Sequence, residues 1–337
     1  MTVGPWTIQR MNNIPRSHTR HPLVACRWLV MAWLLLASGP ALPADSRAAY
    51  VTHVTLSAPN TYSELQHQLL EQAPGIHHFR QTGPFKVSTR KGRQILLSAN
   101  ERVRADLYLA APAEKAPLVI FLHGHDSTKE AHARQAIHVA SWGIHAVAVQ
   151  LSKTGPWDAH GRTLARIVRL IQRSPGVIDS RIDVNRIILA GHSFGAYAVA
   201  VAMAQGAPVA GGILLDPALF GEATNFLQKI SKPVMVLGAD ETLSPIRYRD
   251  YFYHYIPGTV AEVSVKGATH EDAQYPSQTS LLNAGVDPDV TEELQITFVS
   301  GITATAISLS ANRGLDYAWA GFRELINSGQ LFDAKKK

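Results

Sequence analysis

The sequence predicts an α/β fold, a mostly parallel central sheet with helices on both faces, from three observations. Short, mostly apolar runs recur at residues 118–122, 145–149, 186–190, 212–215, 233–237 and 261–265. Helical patterns separate them at 131–142, 162–173, 196–205 and, more weakly, 247–255. Buried strands alternating with amphipathic helices make a parallel sheet covered on both faces. The third observation is local: run 186–190 feeds into Gly191-His192-Ser193-Phe194-Gly195, and a small-residue helix follows.

Taken in chain order, the elements begin with a segment that reads as a targeting signal. Residues 1–44 carry Arg10, Arg16, Arg20 and Arg27 and no acidic residue, then a short apolar run at 28–37 and small residues suited to cleavage near Ala41 or Ala44. The apolar run is short for a membrane span, so export is expected and no stable span in the mature form. Residues 45–82 are polar and expected at the periphery, with one helix at 62–72. Residues 85–88, 94–98 and 103–110 alternate with period two, as antiparallel strands with one covered face do. The parallel section follows. Helices at 289–310 and 314–327 close a domain spanning 83–330, and 331–337 is expected as a polar tail.

At 337 residues and 46% hydrophobic, the chain can bury a substantial core. The net charge of +6 suggests a polyanionic partner, but its distribution argues otherwise. Without residues 1–44 there remain 28 basic and 26 acidic side chains, and Lys335, Lys336 and Lys337 exceed that surplus. No basic stripe is left to track phosphates, so no nucleic-acid partner is expected. Cys26 is the single cysteine and lies in the expected signal, which excludes thiol catalysis and cysteine-ligated metal in the mature chain.

Gly-x-Ser-x-Gly between a strand and a helix is what a nucleophile elbow requires. The serine must sit on a sharp turn with strained backbone angles, and a Cβ at Gly191 or Gly195 would collide with its neighbours. Ser193 is therefore the expected nucleophile, at a helix N-terminus whose dipole favours developing negative charge. Serine needs a base. His270, directly after the last parallel strand, lies at the edge of the sheet where such chemistry gathers. His192 precedes the serine on the elbow and should point away from it; His254 lies in an expected helix; His77 and His78 precede the core. The acid that orients the imidazole has three candidates after strands at the same edge: Asp216, Asp240 and Glu241. Backbone N–H groups of Phe194 and His125 are the expected oxyanion donors, with Gly124 letting the chain approach the substrate. His123, His125 and Asp126 tempt a metal reading, but Ser127 and Thr128 stand where a dinuclear zinc motif needs Asp and His. No metal and no cofactor are expected.

Together, the His123-Gly124 turn, Gly191-His192-Ser193-Phe194-Gly195 and the late His270 resemble the α/β-hydrolase superfamily from about residue 85 onward. Within it, the elbow followed by Gly211-Gly212-Ile213-Leu214-Leu215-Asp216-Pro217 is similar to the branch containing platelet-activating-factor acetylhydrolases and chlorophyllases. That resemblance implies Asp216 as the acid. Cutinase-like polyester hydrolases and dienelactone hydrolases place it one strand later, where Asp240 and Glu241 stand. The implied function is an exported serine hydrolase of small-molecule or lipid-like carboxylic esters. A peptidase or amidase with the same triad, or a non-catalytic binding protein on the same fold, is the alternative. Few residues separate Asp216 from the strand at 233–237, which leaves little room for a large lid.

Overall fold

The computed structural model describes residues 58–72, 75–111, 114–219, 224–244, 246, 248–276 and 288–337. These belong to one compact unit, His53–Lys337. The expected targeting segment and Cys26 lie outside the described residues.

The chain opens with α1 (Tyr62–Glu71), capped by the Thr61 side chain. It continues through β1 (Val87–Ser98), β2 (Glu101–Ala110), β3 (Ala116–Leu122), α2 (Ala133–Ser141), β4 (His145–Gln150), α3 (Trp157–Arg173), β5 (Ile182–His192) and α4 (Phe194–Ala204). Then come β6 (Gly211–Leu215), α5 (Thr224–Leu227), β7 (Val234–Gly238), α6 (Arg249–Tyr255), β8 (Val260–Val265), α7 (Pro288–Ser310), α8 (Asp316–Asn327) and β9 (Leu331–Lys336). The strands form one sheet in the order β1-β2-β4-β3-β5-β6-β7-β8-β9. Pairing is parallel from β4 through β3, β5, β6 and β7 to β8, and antiparallel at β1–β2, β2–β4 and β8–β9.

Strands β3 and β6–β8 are buried along their whole length because both faces are covered. Alternate residues of each strand feed two cores. One packs the sheet against α1, α2, α7 and α8, with Tyr62, Phe121, Phe298 and Phe322 at its centre. The other packs it against α3, α4, α5 and α6, through Leu164, Val199, Leu227 and Phe252. Helix α7 is buried along most of its 23 residues despite its hydroxyls. Thr297, Ser300, Thr303 and Thr305 each donate to the carbonyl four residues back, so their polar atoms enter the core already paired. Among the described residues no helix is long and apolar enough to cross a membrane.

Several expectations are corrected. The runs at 85–88 and 94–98 merge into the single strand β1, which starts only at Val87 and has a register shift between Arg90 and Arg93. Gly92 absorbs it at φ +65°, its N–H bonded to buried Asp106. Helix α3 starts at Trp157 rather than 162, because Pro156 occupies the N-cap and Asp158 the first turn. Residues expected at the periphery contribute Tyr62, Leu65, Leu69, Ile76 and Phe79 to the core. The expected polar tail is β9: Leu331 is buried, and Lys335 and Lys336 pair with Asp250, Glu262 and Asp316. A charged strand is stable at a sheet edge when carboxylates meet its charges, and charge there also discourages further pairing.

Candidate active site

Ser193 sits between the end of β5 and the start of α4 with φ +56° and ψ −124°. A non-glycine residue in that region is held only by strong surroundings. Here the Ser193 N–H donates to the Leu215 carbonyl at 3.0 Å, and its carbonyl accepts from Ala196, Tyr197 and Ala218. The flanking glycines leave no alternative. A Cβ on Gly191 would lie 2.5 Å from the Gly195 oxygen, and one on Gly195 only 2.4 Å from the oxygens of Leu122 and His123.

The loop after β3 passes against the same point. A Cβ on Gly124 would stand 2.8 Å from the Ser193 Cβ, so the backbone leading to His125 runs beside the serine. His123 is fully buried; its Nδ1–H donates to the Gly124 carbonyl, and its Nε2 accepts from Gln150 and from the Leu151 N–H. Nε2 thus ties the end of β3 to the end of β4 while Nδ1 braces the turn at Gly124, and burial lowers the His123 pKa. His125 faces Asp126 at 3.4 Å. Among the described residues, no group of three or more His, Cys, Asp or Glu could hold a metal ion. The rings of His125 and Phe194 lie 6.2 Å apart, and Trp157 stacks on Phe194 at 5.5 Å. Trp157 and Tyr197 are both buried, and Tyr197 donates its hydroxyl to Asp158 at 2.7 Å.

His270 begins a short 3₁₀ turn after β8, capped reciprocally by Thr269 and Asp272. Its Nδ1 lies 2.6 Å from Oδ2 of Asp216. Asp216 is fully buried at the end of β6, with φ +38°. Its carboxylate also accepts from the Ala239 N–H and the Ser244 hydroxyl, both at 3.0 Å. These two donors, both from the loop after β7, hold the carboxylate in the plane that meets the imidazole.

The other two carboxylates are engaged elsewhere. Asp240 accepts from the Thr242 N–H and hydroxyl and from the Gly267 N–H, tying the β7 loop to the β8 loop. Glu241 pairs with buried Arg249 at 2.8 Å and lines a cavity of about 420 Å³ with Glu262 and Lys335. Two residues around the site carry no distinctive signal in the sequence. Ser244 is one of many hydroxyls in turns. His192, expected to point away from the serine, has its ring 4.3 Å from that of His270.

The pattern of the alpha/beta hydrolase family matches residues 119–321, which covers the elbow, Asp216 and His270. The chain is also similar to cutinases. It is 25% identical over 257 residues to a cutinase of Thermobifida fusca (strain YX), covering 72% of this chain and 81% of the relative. To cutinase 1 of Thermobifida cellulosilytica it is 24% identical over 203 residues, 58% of this chain and 76% of the relative. To cutinase est1 of Thermobifida alba it is 24% identical over 195 residues, 56% and 64% respectively. With the family pattern extending from β3 through the Gly-x-Ser-x-Gly turn into α8, over more than half of the chain, the chain belongs to the alpha/beta hydrolase family.

Proposed function

We propose that the protein is an exported serine hydrolase of carboxylic esters, with Ser193 as nucleophile, His270 as base and Asp216 as the orienting acid. The 2.6 Å contact between His270 Nδ1 and Asp216 Oδ2, at the sheet edge that carries Ser193, supports this reading most. With Nδ1–H donated to Asp216, the His270 tautomer leaves Nε2 as the acceptor a base requires. Ser193 Oγ attacks the acyl carbon while His270 takes its proton. The oxyanion draws on the Phe194 and His125 N–H groups. His270 then returns the proton to the leaving alcohol, and water releases the acyl enzyme by the same route. The similarity to cutinases favours esters over amides as substrates.

A panel of p-nitrophenyl esters of increasing acyl length, run beside matched anilides, tests the substrate class. Faster turnover of the esters is expected; faster anilide cleavage would make the enzyme an amidase. Fluorophosphonate labelling that maps to Ser193 is expected, and absence of labelling would favour a non-catalytic binding protein. Export is tested by the N-terminus of the protein recovered from its source, expected between about residues 40 and 46.

A further inference from the structure

We propose that His192 is a positioning residue for the reaction: by donating to the His270 carbonyl and backing the His270 ring, it holds the base in line with Asp216. The inference rests on the triad reading above. His192 closes β5, next to the serine, and is buried. Its Nε2–H donates to the His270 main-chain oxygen at 2.9 Å, and the two rings lie 4.3 Å apart at 38°. One side chain therefore fixes both the backbone and the imidazole face of a residue 78 positions away. Space for it exists because Gly124 has no Cβ, which would stand 3.2 Å from His192 Nδ1.

The rest of the turn is pinned in parallel. Gln135 donates to the Ala273 carbonyl and meets His132 Nδ1 through its Oε1. Ser127 donates to Gln274, and the Tyr275 N–H to Ala131. Of these, His192 alone touches His270 itself. The titratable groups acting on it are His270, His132 and His123, and burial, then the His270 charge, holds His192 well below its usual pKa. It stays neutral while His270 becomes imidazolium, which a like charge 4 Å away would oppose. Its Nδ1 has no hydrogen-bond partner, so one donor nitrogen, Nε2, carries the function.

That detail sets the test. The amide nitrogen of glutamine reaches the position of Nε2, whereas that of asparagine reaches only Nδ1. His192→Gln should keep kcat within about threefold of wild type. His192→Asn and His192→Leu should lose roughly 10–100-fold in kcat, with KM changing less than about twofold, as expected for a misaligned base. Both should also displace the acidic limb of the kcat/KM profile and weaken the low-field proton resonance of the His270–Asp216 hydrogen bond. Rescue by Gln but not Asn supports the proposal. Equal losses in all three with an unchanged pH profile and resonance would overturn it, as would wild-type kcat in His192→Asn. Should the Leu variant not fold, the Gln–Asn pair still decides. The proton resonance needs no turnover, and Ser193→Ala run alongside reports separately on the triad reading.

Discussion

Asp216 Oδ2 stands 2.6 Å from His270 Nδ1 across 54 residues of sequence, while Asp240 and Glu241, one strand later, face Thr242, Gly267 and Arg249 instead. Asp216→Asn would place an amide donor where the imidazole Nδ1–H needs an acceptor. Its kcat is expected to fall by up to roughly 10⁴-fold near neutral pH. Asp240→Asn and Glu241→Gln should cost about 1 kcal/mol of stability and little turnover, since each holds a turn or an ion pair. Steady-state kinetics on the three variants decides the matter; the reverse order would move the acid to the β7 loop.

Ser193→Ala should fold normally and lose roughly 10³-fold or more in kcat, the residue of activity coming from the oxyanion donors and binding. His270→Ala should lose a similar amount, and the double variant little more, because the two act as one unit. Losses that multiply would show that they do not act together.

Gly195→Ala would drive a Cβ to 2.4 Å from two backbone oxygens at the end of β3. Backbone gives way less readily than side chains, so a loss of about 1–3 kcal/mol or more is expected, together with a lower kcat as the Phe194 N–H shifts. Gly176→Ala has open space around its Cβ and serves as the control, within about 0.5 kcal/mol of wild type by denaturant unfolding. Equal stability of the two variants would contradict the tight contact at the elbow.

Burial lowers His132, His138, His145 and His160 to pKa values of about 4. Between the ordinary value of 6.5 and about 4, the unfolded chain binds protons that the folded chain does not. Their contribution to stability is therefore present above pH 6.5 and is lost as pH falls toward 4. Thermal unfolding should show Tm dropping steadily from pH 7 to pH 5. Neither ring nitrogen of His145 has a hydrogen-bond partner. His145→Leu should reduce the Tm loss by a few °C, at about 2–4 °C per kcal/mol. An identical drop in wild type and variant would rule out His145 as a contributor.

Sequence periodicity and the Gly-x-Ser-x-Gly pattern determined the α/β class, the parallel strands and the place of Ser193 and His270. These are local properties: apolar runs with turn signals, and a turn that admits no Cβ at two positions. Tertiary structure alone decided what depends on separation in space. Asp216, Asp240 and Glu241 all follow strands at the same edge, and local sequence gives each the same credentials; only the packing of the β8 turn over β6 brings His270 to Asp216. The same holds for His192, whose value lies in a carbonyl 78 residues away. It holds too for β9, where a lysine-rich end becomes a strand because Asp250, Glu262 and Asp316 are already in place to receive its charges. A one-dimensional pattern reports which residues can turn, cap or alternate. The partner of a buried polar group is set by desolvation in the assembled fold, where each donor must find an acceptor within reach.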